Sequence, residues 1–194
     1  MITKQIILAS SSPRRIEILK TKGINPLIIP PEVDETISDD MKPHDAVMFL
    51  ALKKALCVES IAIEKNYDDS IIIAADTVVV FDEKIIGKPI DKEDAFAILK
   101  TLCGNMHTVL TGVAIITPNT TKREVFYEST KVFFKSYTNE DIFDYINTPE
   151  PYDKAGSYAI QGDWGKHIDH ILGDYNNVVG FPWDSIEKRL QKLL

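Results

Sequence analysis

Ser70-Ile71-Ile72-Ile73-Ala74-Ala75-Asp76-Thr77-Val78-Val79-Val80-Phe81 carries one charge, Asp76, in an otherwise apolar, β-branched run. Its length and its Ile and Val content predict a central buried strand, bounded by a turn at Asp82-Glu83. A carboxylate is seldom buried without a partner, so Asp76 should end a strand in a cleft or meet a cation, and a break in the strand is expected around Ala74-Ala75-Asp76. A short return then leads to Gly87-Lys88-Pro89.

Upstream, a strand is predicted over Gln5 to Ala9, followed by Ser10-Ser11-Ser12-Pro13-Arg14-Arg15 and a helix ending near Gly23. Ser12 fits the N-cap, Pro13 the first helical position and Gly23 the position after the last turn. A second strand covers Pro26 to Ile29. After the acidic loop Glu32-Val33-Asp34-Glu35, apolar residues recur at helical spacing from about Pro43 to Lys65, with Lys54 on the same face.

Downstream, Asp91 starts a helix running to about Leu102 and closed by Gly104. Strands near Thr108 to Thr117 and Val125 to Ser136 flank a polar turn, and a helix from Thr138 to Ile146 follows. Strand-like segments around Ser157 to Gln161 and His167 to Leu172 precede a last helix from Pro182 to Leu194. Alternating strands and helices, then locally paired strands, predict an α/β fold with a mixed sheet.

The chain has 194 residues, enough for one substantial core but little for two, so a single domain, 1–194, is expected. With 44% apolar and 26% charged residues, the composition is that of a soluble globular protein. No run approaches the ~20 apolar residues of a membrane span, and the opening segment lacks the long apolar stretch of a signal peptide. Cys57 and Cys103, each within a helical apolar pattern, read as buried thiols of a cytosolic protein. A net charge of −7 argues against nucleic-acid polymers, which require a basic face, but leaves room for a compact anion held by a few clustered cations.

Four segments carry chemistry. Hydroxyls, free backbone N–H groups and the Arg14 and Arg15 guanidiniums at one helix N-terminus make a phosphate site; a capped helix with solvated arginines is the plainer alternative. Asp76 at a cleft could ligate a metal and take a proton from water, or it could simply bond a turn. Lys88 sits between a flexible and a rigid residue, as in many ordinary turns. Asp153-Lys-Ala-Gly-Ser-Tyr-Ala-Ile-Gln161-Gly162 permits close backbone approach, and Gln161 offers the donor and acceptor that a base edge requires. A glycine-bounded strand is the alternative there. His167 and His170 would face opposite sides of a strand, which argues against a zinc site.

Taken in order, Leu8-Ala-Ser-Ser-Ser-Pro-Arg-Arg15, Val33-Asp-Glu35, Ala75-Asp-Thr77, Gly87-Lys-Pro89, Thr111-Gly112, Asp153 to Gly162 and Asn177-Val-Val-Gly-Phe-Pro182 resemble the Maf family of nucleoside triphosphate pyrophosphatases. The resemblance implies a mixed twisted sheet flanked by helices, in an elongated, bilobed single domain with a central cleft, similar to inosine triphosphate pyrophosphatases. It also implies a divalent cation, Mg²⁺ or Mn²⁺, and cleavage between the α- and β-phosphates. By motif, Asp76 corresponds to the proton acceptor. Ser10, Arg14, Arg15, Lys54 and Lys88 correspond to phosphate-handling residues, and Glu35 to a metal-associated carboxylate.

Lys53 adjoins Lys54, so that assignment could slip by one. Arg14, Thr77 and Gln161 together resemble the subgroup acting on dTTP and UTP rather than the one acting on 7-methyl-GTP. Ser11 stands where some members have glycine, and Phe181 where leucine is more usual. A non-enzymatic, nucleotide- or partner-binding regulator of septum formation is the competing reading, and a homodimer is the default for a soluble enzyme.

Overall fold

The computed structural model describes residues 4–38 and 40–193. The Ile- and Val-rich run forms one unbroken strand of twelve residues, β3 (Ser70–Phe81), so the interruption expected at Ala74-Ala75-Asp76 does not occur. No break is needed because Asp76 is neutralised where it stands, by a lysine from a facing helix.

In chain order the elements are β1 (Gln5–Leu8), α1 (Pro13–Thr21), β2 (Leu27–Ile28), α2 (Pro43–Glu64), β3, β4 (Lys84–Ile86), α3 (Lys92–Leu102), β5 (Met106–Ile116), β6 (Arg123–Phe134), α4 (Asn139–Ile146), β7 (Ile168–Leu172), α5 (Tyr175–Val179) and α6 (Trp183–Leu193). The strands make a mixed seven-stranded sheet in the order β2-β1-β3-β5-β6-β7, with β4 added to β3. β1 runs parallel to β2 and to β3, with Gln5 opposite Ser70 and Leu8 opposite Ile73, whereas β3–β4 and β6–β7 are antiparallel. The predicted mixed α/β sheet is therefore present. No helix among the described residues is long and apolar enough to cross a membrane.

The chain divides into two compact units. The first comprises the described residues of Met1–Asp76, Thr111–Glu128 and Gly180–Leu194. Its core sets Ala51, Ala55, Val58 and Ala62 of α2 against Ile7, Ile72, Ala74, Ala114 and Ile116 of the strands. The alanines let α2 lie close to the sheet. At Gly112 the approach leaves no room for a side chain, because a Cβ there would fall 2.2 Å from the Val47 carbonyl oxygen. Trp183, Ile186 and Leu190, at helical spacing, bury one face of α6.

The second unit, Thr77–Leu110 and Ser129–Val179, has an aromatic core that includes Phe134, Tyr137, Tyr145, Tyr158 and Trp164. Asp91 caps α3 by accepting from the Asp94 amide, and Thr138 and Asp141 close a capping box on α4. Asp82 and Glu83 both take positive φ, 48° and 63°, which is the left-handed pair a two-residue hairpin demands.

Two expectations fail locally, and one holds only in part. Ser157 to Gln161 is not a strand: Ala155–Ser157 is a 3-10 turn in which Gly156 and Ser157 have φ of 71° and 61°, and left-handed residues cannot extend a ladder. Ser12 occupies the expected N-cap position, though without a side-chain cap bond. Cys57 and Cys103 are only partly buried, with Sγ directed to the Glu32 and Tyr137 carbonyl oxygens. α5 lay outside the sequence reading altogether, being only five residues long.

One buried group makes this unit acid-sensitive. His107 is 1% exposed with Nε2 2.7 Å from the Tyr158 hydroxyl, and burial pulls its pKa down from 6.5 to about 4. The unfolded chain therefore binds a proton that the folded one refuses between those values. The contribution to stability is full above about pH 6.5 and is lost as pH falls toward 4. Moving from pH 7.5 to 5 should cost about 2 kcal/mol, read from urea midpoints. In a His107→Phe variant the pH slope should flatten; equal slopes in the two proteins would contradict this account.

Candidate active site

The two-residue period of β3 puts Ile72, Ala74 and Asp76 on one face, and the first two pack against α2. On α2, Lys54 lies three residues after Ala51 and four before Val58, both in that cluster, so it shares their stripe. Helix and strand thus bring Lys54 to Asp76 although 22 residues separate them. Lys54 Nζ donates to Asp76 Oδ1 at 2.6 Å and to Glu35 Oε1 at 2.8 Å. The Lys54 and Asp76 side chains are 10% and 11% exposed, whereas that of Glu35 is 57% exposed. The pair sits in a low dielectric with its third member reaching solvent.

The loop carrying Glu35 is pinned from α2 as well. Asp34 Oδ1 accepts from the Thr36 amide and hydroxyl, while the Asp34 carbonyl accepts from Lys53 Nζ at 2.5 Å. Successive helical residues point about 100° apart. The one-residue ambiguity is thereby resolved: Lys54 faces Asp76, and Lys53 holds the loop.

The serine turn joins the same cluster. Ser10 is buried, and its Oγ accepts from the Ser12 amide and from Arg15 Nη1, each at 3.2 Å. With both lone pairs used, its hydroxyl proton is left to be donated. Arg15 Nη1 also donates to the Ala75 carbonyl at 2.7 Å, and Arg15 Nε to the Gly180 carbonyl at 2.9 Å. Burial lowers the Arg15 guanidinium from its usual value, and the nearby Asp76 carboxylate counters that pull. Arg14, half-buried, makes no hydrogen bond or ion pair among the described residues. Three cations against two carboxylates leave this cluster formally positive in a protein of net charge −7.

Among the described residues no three His, Cys, Asp or Glu side chains gather into a self-sufficient metal site. The Asp76 and Glu35 carboxylates, both within reach of one ammonium, are hard oxygen donors. Such a pair suits Mg²⁺ or Mn²⁺ when a phosphate chain and waters supply the other ligands.

A family model described as Maf-like protein matches residues 5–193. The chain belongs to the Maf family. A dTTP/UTP pyrophosphatase of Geobacillus sp. (strain WCH70) is 47% identical over 190 residues, covering 98% of each chain. A dTTP/UTP pyrophosphatase of Caldicellulosiruptor saccharolyticus is 45% identical, covering 98% of this chain and 95% of its own. Among solved structures, the Staphylococcus aureus Ham1 protein aligns over 98% of this chain and 100% of its own, with a TM-score of 0.47 and 13% identity. That likeness adds nothing to the argument.

Of the Maf motif residues, Ser10, Arg14, Arg15, Glu35, Lys54 and Asp76 all belong to the first unit; hydrogen bonds and ion pairs link Glu35, Lys54 and Asp76 and tie Arg15 to Ser10, while Arg14 acts on Arg15 only through its charge. Thr77, Lys88 and Gln161 belong to the second. Thr77 is half-buried on β3; Lys88 and Gln161 are exposed, and neither side chain makes a hydrogen bond or ion pair among the described residues. Sequence reasoning missed the carbonyls of Ala75 and Gly180. Gly180, at φ 102°, explains why its Maf motif needs a glycine: the left-handed turn aims that carbonyl at Arg15.

Proposed function

We propose that this Maf protein hydrolyses nucleoside triphosphates, dTTP and UTP foremost, to the monophosphate and pyrophosphate, with Asp76 as the base. One observation carries the reading: a nearly buried carboxylate is bonded to a lysine that also holds Glu35, and Arg15 and Ser10 join them. The substrate named for the curated relatives supports the nucleotide class and its pyrimidine preference.

Asp76 takes a proton from water as the water oxygen bonds to the α-phosphorus and the bond to the bridging oxygen breaks. Pyrophosphate leaves with that oxygen. Lys54, Lys88 and Arg14 offset the charge on the phosphate chain, and the Ser10 hydroxyl donates to it. Arg15 acts chiefly through the backbone, holding the Ala75 and Gly180 carbonyls, because at least two of its donors are already engaged by protein. Asp76 and Glu35 would hold a divalent cation, which when bound neutralises polyphosphate charge. Positioning and electrostatics supply most of the rate, since little covalent chemistry falls to the protein.

Thr77 and Gln161 read the pyrimidine edge, because a site built to bond one base rejects those that leave its polar groups unpaired. The match across 5–193 supports treating residues 1–194 as one functional domain. A cytoplasmic location follows from the substrate class, and a homodimer remains the default assembly. Pyrophosphate release with dTTP, UTP, CTP, dATP and 7-methyl-GTP, with and without Mg²⁺ or Mn²⁺, tests the whole reading. Metal-dependent release led by dTTP and UTP is expected. Purine preference would refute the base assignment, and no release from any nucleotide would favour a non-enzymatic regulator.

A further inference from the structure

Gln161 has no hydrogen-bond partner for its own side chain among the described residues, so its direction depends on the backbone that carries it. That backbone is a tight turn. The Gly162 amide donates to the Ala159 carbonyl at 3.2 Å, which puts Gln161 at the third position, and the Gly165 amide donates to the Gly162 carbonyl at 3.0 Å. A Cβ on Gly165 would fall 2.4 Å from the Ile160 carbonyl oxygen, so that side of the turn is closed by backbone.

The other side is closed by one carboxylate. Glu150 Oε2 accepts from the Asp163 amide at 3.3 Å, and Oε1 accepts from the Tyr145 hydroxyl at 3.0 Å. A Cβ on Gly162 would fall 1.7 Å from Glu150 Oε1, so the glycine is what lets the carboxylate lie over the turn. Tyr145 is itself immobilised: it sits on α4 behind a capping box, with its ring stacked on Trp164 at 4.6 Å. Burial and the Glu150 charge raise its phenol, so it stays a donor across the working pH range.

We propose that Glu150 is a positioning residue for base selection: bridging the Tyr145 hydroxyl and the Asp163 amide, it fixes the turn that presents Gln161 to the nucleobase. This rests on the base-reading role given to Gln161 above. Glu150→Ala removes both acceptor oxygens, from the Tyr145 hydroxyl and from the Asp163 amide. Gly162→Ala pushes the carboxylate off the turn, and Tyr145→Phe deletes the hydroxyl while keeping the ring stack.

Steady-state kinetics with UTP and CTP, together with inhibition by inorganic pyrophosphate, provide the test. All three variants should lower the UTP-over-CTP ratio of kcat/KM roughly fivefold to tenfold, the discrimination one hydrogen bond supplies. Pyrophosphate inhibition, which reports the phosphate end, should not change; a merely structural defect would weaken both. If Gln161→Ala erodes the ratio while Tyr145→Phe and Glu150→Ala preserve it, the positioning role is overturned and the base reading stands. If Gln161→Ala itself leaves the ratio intact, the base reading fails and takes this inference with it. Should Glu150→Ala not fold, Tyr145→Phe alone decides.

Discussion

Asp76→Asn should lower kcat by about 10²- to 10⁴-fold, the range a positioned general base supplies, while metal-free nucleotide binding changes little. The substitution is chosen because the amide has the shape of the carboxylate. Its oxygen can still accept from Lys54 Nζ, which donates to Oδ1 at 2.6 Å in the native protein. β3 therefore keeps its register and α2 its packing, so the loss is chemical rather than structural. What goes is the capacity to take a proton from water, together with one of the two negative charges beside Lys54. Calorimetric titration with dTTP in the absence of divalent cation, beside pyrophosphate release in its presence, separates the two effects. Native turnover in a cleanly folded Asp76→Asn protein would remove Asp76 from the mechanism.

The second large effect is expected at Lys54→Met, which retains the length of the side chain and deletes its charge. Asp76, 8% exposed, would lose the ammonium paired with it at 2.6 Å. Removing one member of a buried pair costs ~3–5 kcal/mol, and the lower end applies because Arg15 still faces Asp76. Turnover should fall as well, since Lys54 is also the link between Asp76 and the loop carrying Glu35. A double-mutant cycle makes the argument quantitative. Lys54→Met with Asp76→Asn should recover much of the stability lost in the single variant while staying inactive, because no carboxylate is then buried at position 76 without its lysine. A single variant within about 1 kcal/mol of the native protein in urea would show that the pair contributes little.

Lys54 itself marks the limit of local reading. Periodicity along Pro43 to Lys65 places a lysine on the apolar stripe, but Lys53 and Lys54 are both compatible with a helix whose phase is uncertain by one residue. The alanine stripe packed on the sheet and the glycine contact at Val47 set that phase, and only then does Lys54 turn toward Asp76 while Lys53 turns toward the Asp34 carbonyl. Arg15 shows the same limit differently. Its place in a serine-rich helix start predicts phosphate binding, yet its guanidinium is held by carbonyls at Ala75 and Gly180, 60 and 165 residues away. Glu150, flanked by prolines, gave no chemical signal at all. Its importance to the Gln161 turn comes from Tyr145 and Gly162, which reach it only through folding.

Ser157 to Gln161 shows how an apolar alternation misleads. Tyr158 and Ile160 alternate with small or polar residues as a strand would, but positive φ at Gly156 and Ser157 turns the chain into 3-10 geometry. Propensity is a weak force, and a few left-handed residues stabilised by tertiary packing override it.

By itself, the sequence determined the local features: the capped starts of α3 and α4, the hairpin at Asp82-Glu83, the mixed α/β order, the Maf motifs and the anomaly of a lone carboxylate in an apolar strand. Each of these depends on residues within a few positions of one another, where covalent geometry limits the choices. The tertiary structure alone decided which lysine meets Asp76, that β3 runs on without a break, and that Arg15 braces backbone. Those outcomes turn on packing between segments far apart in the chain, and small differences in helix phase or strand register there decide which charges come within bonding distance.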